Sequence, residues 1–204
     1  MVDTVNSKYT QLCNTGSDIN EHLPTLYAYA KECESVFETG VRGCVSSWAL
    51  TKGLLENGKA NRSLFLNDIS PCDIGELLNT TRNLPIQMEY KWVNNLQLDL
   101  PRNVDLTFID TWHVYGQLKR ELEKFSKVTN KYIIMHDTTV DGIYGETIRL
   151  GMNAMYQSSL SGFPVEEILC GLQKAVDEFL AANKGWVIDK VYTNNNGLTI
   201  LKKL

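Results

Sequence analysis

Phe108-Ile109-Asp110-Thr111-Trp112-His113 and, further on, Met135-His136-Asp137-Thr138 decide how this chain of 204 residues reads. Each places an acid and a histidine just past a run of strand formers. The run at 105–110 is nearly all apolar, as suits a strand covered on both faces of a parallel sheet. In an open α/β sheet, ligands bind outside the carboxyl ends of the strands. Two such ends carrying Asp and His make Asp110, His113 and Asp137 a candidate reaction centre.

Outward from these two stretches, further strands are expected at 35–38, 63–68, 86–93, 131–136, 186–192 and 198–203. Helical spacing of apolar residues falls between them, at 19–34, from Ser46 through Leu55, from about 70 or 73 to 83, at 114–128 and at 165–183. Alternating strands and helices imply a parallel sheet with right-handed crossovers. Asn194-Asn195-Asn196-Gly197 is a hairpin turn signal, so one reversed strand closes the sheet. The expected class is α/β, one domain over 1–204, with 1–16 as an N-terminal arm. The stretch 138–164 carries Gly142, Gly145, Gly151 and Gly162 and is too long for a plain connection. Such stretches are usually functional, and it reads as a substrate lid; a surface excursion that stabilises the fold or a dimer is the alternative.

Composition narrows the class. Hydrophobic content of 43% and charged content of 22% are those of an ordinary globular domain. A net charge of -4 argues against nucleic acid as the main partner, which wants a basic face. No apolar run approaches the roughly 20 residues of a membrane span, and the polar first twenty residues lack a signal-peptide core. Cys13, Cys33, Cys44, Cys72 and Cys170 are scattered without a CxxC pair. They read as reduced thiols of a cytoplasmic protein.

With these residues placed, the chain resembles class I S-adenosylmethionine (SAM)-dependent methyltransferases. The subgroup it is most similar to is the sugar and small-molecule O-methyltransferases related to macrolide-sugar enzymes, some of which accompany glycosyltransferases. The resemblance runs from about Glu34 to the C-terminus. It is carried by Phe108-Ile109-Asp110 with His113, by His136-Asp137-Thr138, and by the ending from Gly171 to Leu201 with Ala175-Val176-Asp177-Glu178-Phe179-Leu180, Trp186 and Asn196-Gly197-Leu198-Thr199. Glu38-Thr39-Gly40-Val41-Arg42-Gly43 adds a weaker match. The resemblance implies a Rossmann-like seven-stranded sheet, mostly parallel with an antiparallel last strand and helices on both faces. It also implies SAM as cofactor, a sugar or glycan hydroxyl as acceptor (a deoxyhexose within a glycan being one candidate), and a glycosyltransferase domain or partner. A homodimer is left open.

SAM carries no phosphates, so its site needs few glycines. Gly40 and Gly43 allow a tight turn and a close backbone approach. Glu38 is placed to hold the methionyl ammonium and Asp68 the ribose hydroxyls, with Thr39, Asn94 and Asp110 completing the cofactor contacts. A sugar hydroxyl is a poor nucleophile until its proton is drawn away. A histidine does this as general base, and the resemblance assigns that role to His113 beside Asp110. A divalent metal does it as Lewis acid; Asp110, Asp137 and Thr138 correspond to ligands for Mg²⁺ or Mn²⁺ in metal-dependent members. His136 stands where such members often carry an acid, so metal-dependent and metal-free mechanisms are both carried forward. His136 itself reads either as a core histidine or as a substrate contact. Within the lid, Tyr144 and Tyr156 could stack on a sugar and Arg149 could hydrogen-bond it. A nicotinamide-dependent oxidoreductase, a methyltransferase of another small-molecule hydroxyl, and a non-catalytic glycan-associated module are the competing readings.

Overall fold

The computed structural model describes residues 2–204. Seven strands form one sheet: β1 (Ser35–Thr39), β2 (Ser63–Asp68), β3 (Gln87–Trp92), β4 (Val104–Ile109), β5 (Thr129–His136), β6 (Trp186–Tyr192) and β7 (Leu198–Lys203). Their order is β3-β2-β1-β4-β5-β7-β6. β1 to β5 pair in parallel, and β7 runs antiparallel between β5 and β6. The expected single reversed strand is therefore present, and the fold is the Rossmann-like sheet foreseen. The strand order reverses between β1 and β4, which puts the tips carrying Glu38 and Asp110 side by side.

Alternating strand residues divide the core in two, because successive side chains point to opposite faces. Val36, Leu64, Leu106, Phe108 and Ile134 face α2 (Leu23–Lys31) and α3 (Val45–Glu56). Phe37, Ile109, Ile133, Met135 and Leu201 face α5 (Tyr115–Phe125) and α9 (Leu172–Ala182). The remaining helices are α1 (Val2–Cys13), α4 (Gly75–Thr81), α6 (Gly145–Arg149), α7 (Ala154–Ser161) and α8 (Val165–Ile168).

Two expectations need correction. The N-terminal arm is instead helix α1 over most of its length, with Val5 buried and Tyr9 and Leu12 packed on the core. Lys52 of α3 donates to Asn6 Oδ1 at 2.6 Å. The apolar stripe at 5, 9, 12 and 13 lies in an otherwise polar segment, so composition hid it. The helix expected at 165–183 is broken into α8 and α9. Between them Gly171 lies against the Asp141–Gly142 backbone: a Cβ on Gly171 would sit 2.5 Å from both carbonyl oxygens. Gly171, Leu172 and Gln173 donate to the carbonyls of Ile143, Asp141 and Gly142. The break thus ties the start of α9 to the start of the lid.

Gly53 sets the approach of α2 to α3. A Cβ there would meet the Tyr27 carbonyl oxygen at 2.5 Å and the Ala30 Cβ at 2.7 Å. Gly53→Val should destabilise the fold by about 1–3 kcal/mol through overpacking, read as a lower urea midpoint with an unchanged slope. An unchanged midpoint would mean that the two helices separate without cost.

Candidate active site

The loop after β1 is strained and tied down. Gly40 has φ 91°, and Arg42 and Cys44 hold φ 41° and 62°, values that cost a non-glycine residue energy. A Cβ on Gly40 would sit 1.8 Å from the Asp110 carbonyl oxygen. What approaches this glycine is therefore the tip of β4. Gly43, by contrast, has nothing within 4 Å of a Cβ position. Arg42 N–H donates to Asp68 Oδ2 at 3.0 Å and Ser70 N–H to Asp68 Oδ1 at 2.8 Å, so the Asp68 carboxylate fastens the loop to the end of β2.

Glu38 is fully buried. Ser46 at the start of α3 donates to its Oε1, while Oε2 has no partner. Burial pushes the carboxyl up to about 7, against the pull of its hydroxyl neighbours. An unpartnered buried carboxylate oxygen is costly, and a ligand ammonium would satisfy it. In this respect the residues fit SAM.

The second half of the site is a cluster of acids around one imidazole. His113 Nε2 lies 3.1 Å from Asp110 Oδ1. His113 Nδ1 lies 3.0 Å from Asp137 Oδ2, 3.3 Å from Asp141 Oδ2 and 3.7 Å from Glu146 Oε2. Burial works against the charged ring, yet the carboxylates of Asp110, Asp141 and Asp137 outweigh it and push His113 up to about 10. His136 Nδ1 also faces Asp110 Oδ1, at 3.3 Å, and its Nε2 faces the Asn195 carbonyl at 3.2 Å. Asp110 is held well below the usual carboxylate range because its two histidines outweigh its burial. Burial raises Asp137, partly offset by the same histidines. Asp137 takes φ 58°, and its Oδ1 is buried without a partner.

The lid supplies the rest. Glu146 N–H donates to the His113 carbonyl at 2.9 Å, and the His113 N–H donates to Glu146 Oε2 at 3.2 Å. Arg149 clamps Asp141 with two bonds of 2.7 Å, which holds that carboxyl low against its burial. Asp141 and Glu146 escaped the sequence reading. Their only signal is position, four and nine residues beyond Asp137.

Several expected site residues have other partners. The Thr39 hydroxyl donates to Asn67 and accepts from Asn95, in a buried network. Asn94 Oδ1 caps the short turn Asn95–Gln97. The Thr138 hydroxyl accepts from the Thr199 hydroxyl of β7 at 2.9 Å. His136 is 1% exposed and supports Asp110 through its Nδ1. Arg149 is committed to Asp141. Tyr144 and Tyr156 are 65% and 62% exposed, outside the cluster. Two side chains beside Asp68 went unremarked: Ile69 and Trp92 are exposed, with the indole N–H donating to the Ile69 carbonyl at 2.9 Å.

Asp110, His113 and Asp137 offer three donor atoms within 4.8 Å of one another. This convergence, the unpartnered Asp137 Oδ1 and the excess of carboxylates together fit a divalent cation. The hollow beside His113 is small, about 10 Å³, because these side chains pack on each other.

No protein-family profile matches the chain, and no curated protein matches it. Solved structures do. The O-methyltransferase TomG from Streptomyces achromogenes, involved in tomaymycin synthesis and solved with SAM, aligns at TM-score 0.61 and 13% identity over 99% of this chain and 88% of that one. An O-methyltransferase from Bacillus cereus solved with S-adenosylhomocysteine aligns at 0.58 and 15% identity over 100% and 90%. The N-methyltransferase NodS from Bradyrhizobium japonicum WM9, also with S-adenosylhomocysteine, aligns at 0.55 and 12% identity over 98% of each chain. At these identities the likeness establishes the fold: the chain has the architecture of Rossmann-like methyltransferases, shared by enzymes that methylate oxygen and nitrogen.

Glu38 yields a test by stability. Its folded-state pKa, about 7, stands above its ordinary value of 4.5. The folded protein therefore holds this proton more tightly, and the contribution of Glu38 to stability declines as pH rises from 4.5 to 7. Glu38→Gln should remove that decline and be more stable than wild type at pH 8, by up to about 3 kcal/mol, in urea titrations at pH 5 and pH 8. Identical pH slopes in the two proteins would exclude an unpaired Glu38.

Proposed function

We propose that the protein transfers a methyl group from SAM to a hydroxyl held over Asp110, His113 and Asp137. The observation that carries this reading is the meeting of those three side chains at the carboxyl ends of neighbouring strands β4 and β5, one strand away from the Glu38 loop of β1. That is where ligands enter such sheets.

Methyl transfer is an in-line displacement, so the chain must align donor and acceptor and keep water out. Glu38 Oε2 is the free partner for the methionyl ammonium. The apolar faces of Ile69 and Trp92, beside Asp68, suit the adenine end. The hydroxyl proton must go to a group of the cluster. With its pKa near 10, His113 is an imidazolium at neutral pH and has no lone pair to offer. Asp137 Oδ1 is then the free acceptor, and His113 holds Asp110 and Asp137 in place. Bound by Asp110 and Asp137, Mg²⁺ or Mn²⁺ would make the hydroxyl more acidic and offset the carboxylate charge that keeps His113 protonated, returning His113 to the role of base. The packed cluster must also loosen to admit an adenosyl group, and α6 is the element whose Glu146 and Arg149 hold it shut.

The acceptor reading shifts from a plain sugar. Ile143, Tyr144, Ile148, Leu150, Met155 and Leu160 of the lid segment are all exposed, and 150–165 carries no charged residue. This surface favours a hydroxyl joined to an apolar body, such as a sugar on an apolar aglycone, over a free polar glycan.

Labelled methyl transfer to a panel of hydroxyl acceptors, graded in apolar area and run with and without EDTA, tests the reading directly. His113→Ala and Asp137→Asn should each lower turnover by 100-fold or more while calorimetric SAM affinity stays within threefold. Asn tolerates the left-handed backbone at position 137, so misfolding is not an explanation for the second variant. A chain that binds NAD(P) but not SAM, or an Asp137→Asn variant of full activity, would reject the proposal.

A further inference from the structure

A larger cavity lies at the opposite edge of the sheet. It holds about 540 Å³ and is lined by Ser35, Ser63 and Gln87, which open β1, β2 and β3, and by Arg62 and Arg102 from the segments leading into β2 and β4. Strands rise about 3.3 Å per residue, so this edge stands roughly 17–20 Å from the Asp110–His113 cluster. The volume falls within the range of small-molecule sites.

The hydrogen-bond partners of the two arginines are neutral groups. Arg42, Arg120 and Arg149 each pair with a carboxylate. Arg62 instead donates Nε to Asn57 Oδ1 at 3.0 Å and Nη1 to the Pro85 carbonyl at 3.4 Å. Asn57 is itself anchored, donating to the Cys33 carbonyl. Arg102 donates to Gln87 Oε1 at 3.4 Å and lies over the Phe65 ring at 5.4 Å. Among the described residues neither guanidinium has a carboxylate partner. The acid in the lining, Glu34, is half exposed and sits 4.0 Å from Lys59 Nζ. A guanidinium carries five N–H donors in a planar fork, and among the described residues only three of the ten on these two side chains are hydrogen-bonded. Holding them in place beforehand lowers the entropy a ligand must give up.

We infer that this cleft binds a small ligand bearing phosphate. Guanidinium forks match phosphate oxygens two at a time, and two forks on one cavity suit a diphosphate or a phosphate monoester with a polar body. The net charge of the whole chain, -4, speaks against a polynucleotide, whose binding would need a broad basic face. The site is independent of the methyl-transfer reading and would stand if that reading failed.

Calorimetric titration of inorganic pyrophosphate and of inorganic phosphate into the full chain at fixed ionic strength tests this. Saturable binding of pyrophosphate is expected, weakened at least tenfold by Arg102→Gln and by Arg62→Lys, which keeps the charge but loses the fork. Arg102 is exposed, so its replacement leaves the fold intact, and SAM affinity in that variant should match wild type. His113→Ala should bind pyrophosphate normally. The inference is overturned if no saturation occurs, if Arg102→Gln binds as wild type does, or if His113→Ala or Arg42→Gln abolishes binding, which would move the anion to the other edge. Tighter binding of single-stranded RNA than of pyrophosphate would overturn it in favour of a nucleic-acid surface.

Discussion

The Asp110 carboxylate holds the carboxyl edge of the sheet together. Through Oδ1 it receives His113 from its own strand end and His136 from the end of β5. His136 passes the linkage to the Asn195 carbonyl in the β6–β7 turn. That turn in turn holds the N-terminal connection, with Asn195 Nδ2 donating to the Ser17 carbonyl and His22 Nε2 facing the Asn194 carbonyl at 3.0 Å. A charge half-buried among other charges is best held when it is paired and hydrogen-bonded. Removing Asp110 would therefore leave His113 and His136 to the remaining carboxylates, Asp137 above all, and four segments of chain without their common anchor.

The same requirement explains the lid. Four carboxylates stand within 3.7 Å of the His113 ring, more negative charge than one imidazolium balances. Arg149 answers part of the excess through Asp141. Asp137 Oδ1 and His113 Nδ1 still lack hydrogen-bond partners. A site with uncompensated charge on a strained residue is the usual mark of function. Segment 138–164 is thus fastened to the carboxylate–histidine cluster by polar contacts, while it presents apolar groups to the outside.

The strands were legible because their apolar runs are short, rich in β-formers and bounded by turns. Asp110, His113 and Asp137 were legible with them, since a residue just past a parallel strand has only one edge to occupy. Helix α1 was not, because its apolar residues at 2, 5, 9, 12 and 13, though helically spaced, stand in an otherwise polar segment. The split between α8 and α9 was not, because Gly171 is needed for a backbone approach from a segment thirty residues earlier. Thr39 and Thr138 look like ligand contacts in a linear reading and also bond to buried side chains, while Asn94 caps a short turn through the Leu96 N–H.

The amino-acid order by itself determined the α/β class, the single reversed strand and the edge on which acids and histidines meet, because strand periodicity and crossover handedness leave few other arrangements. Only the tertiary structure decided how many carboxylates meet the His113 ring. His113 is a base or an imidazolium according to how many carboxylates the fold brings against it, and Asp141 and Glu146 arrive there through the folding of the lid, which no local pattern encodes.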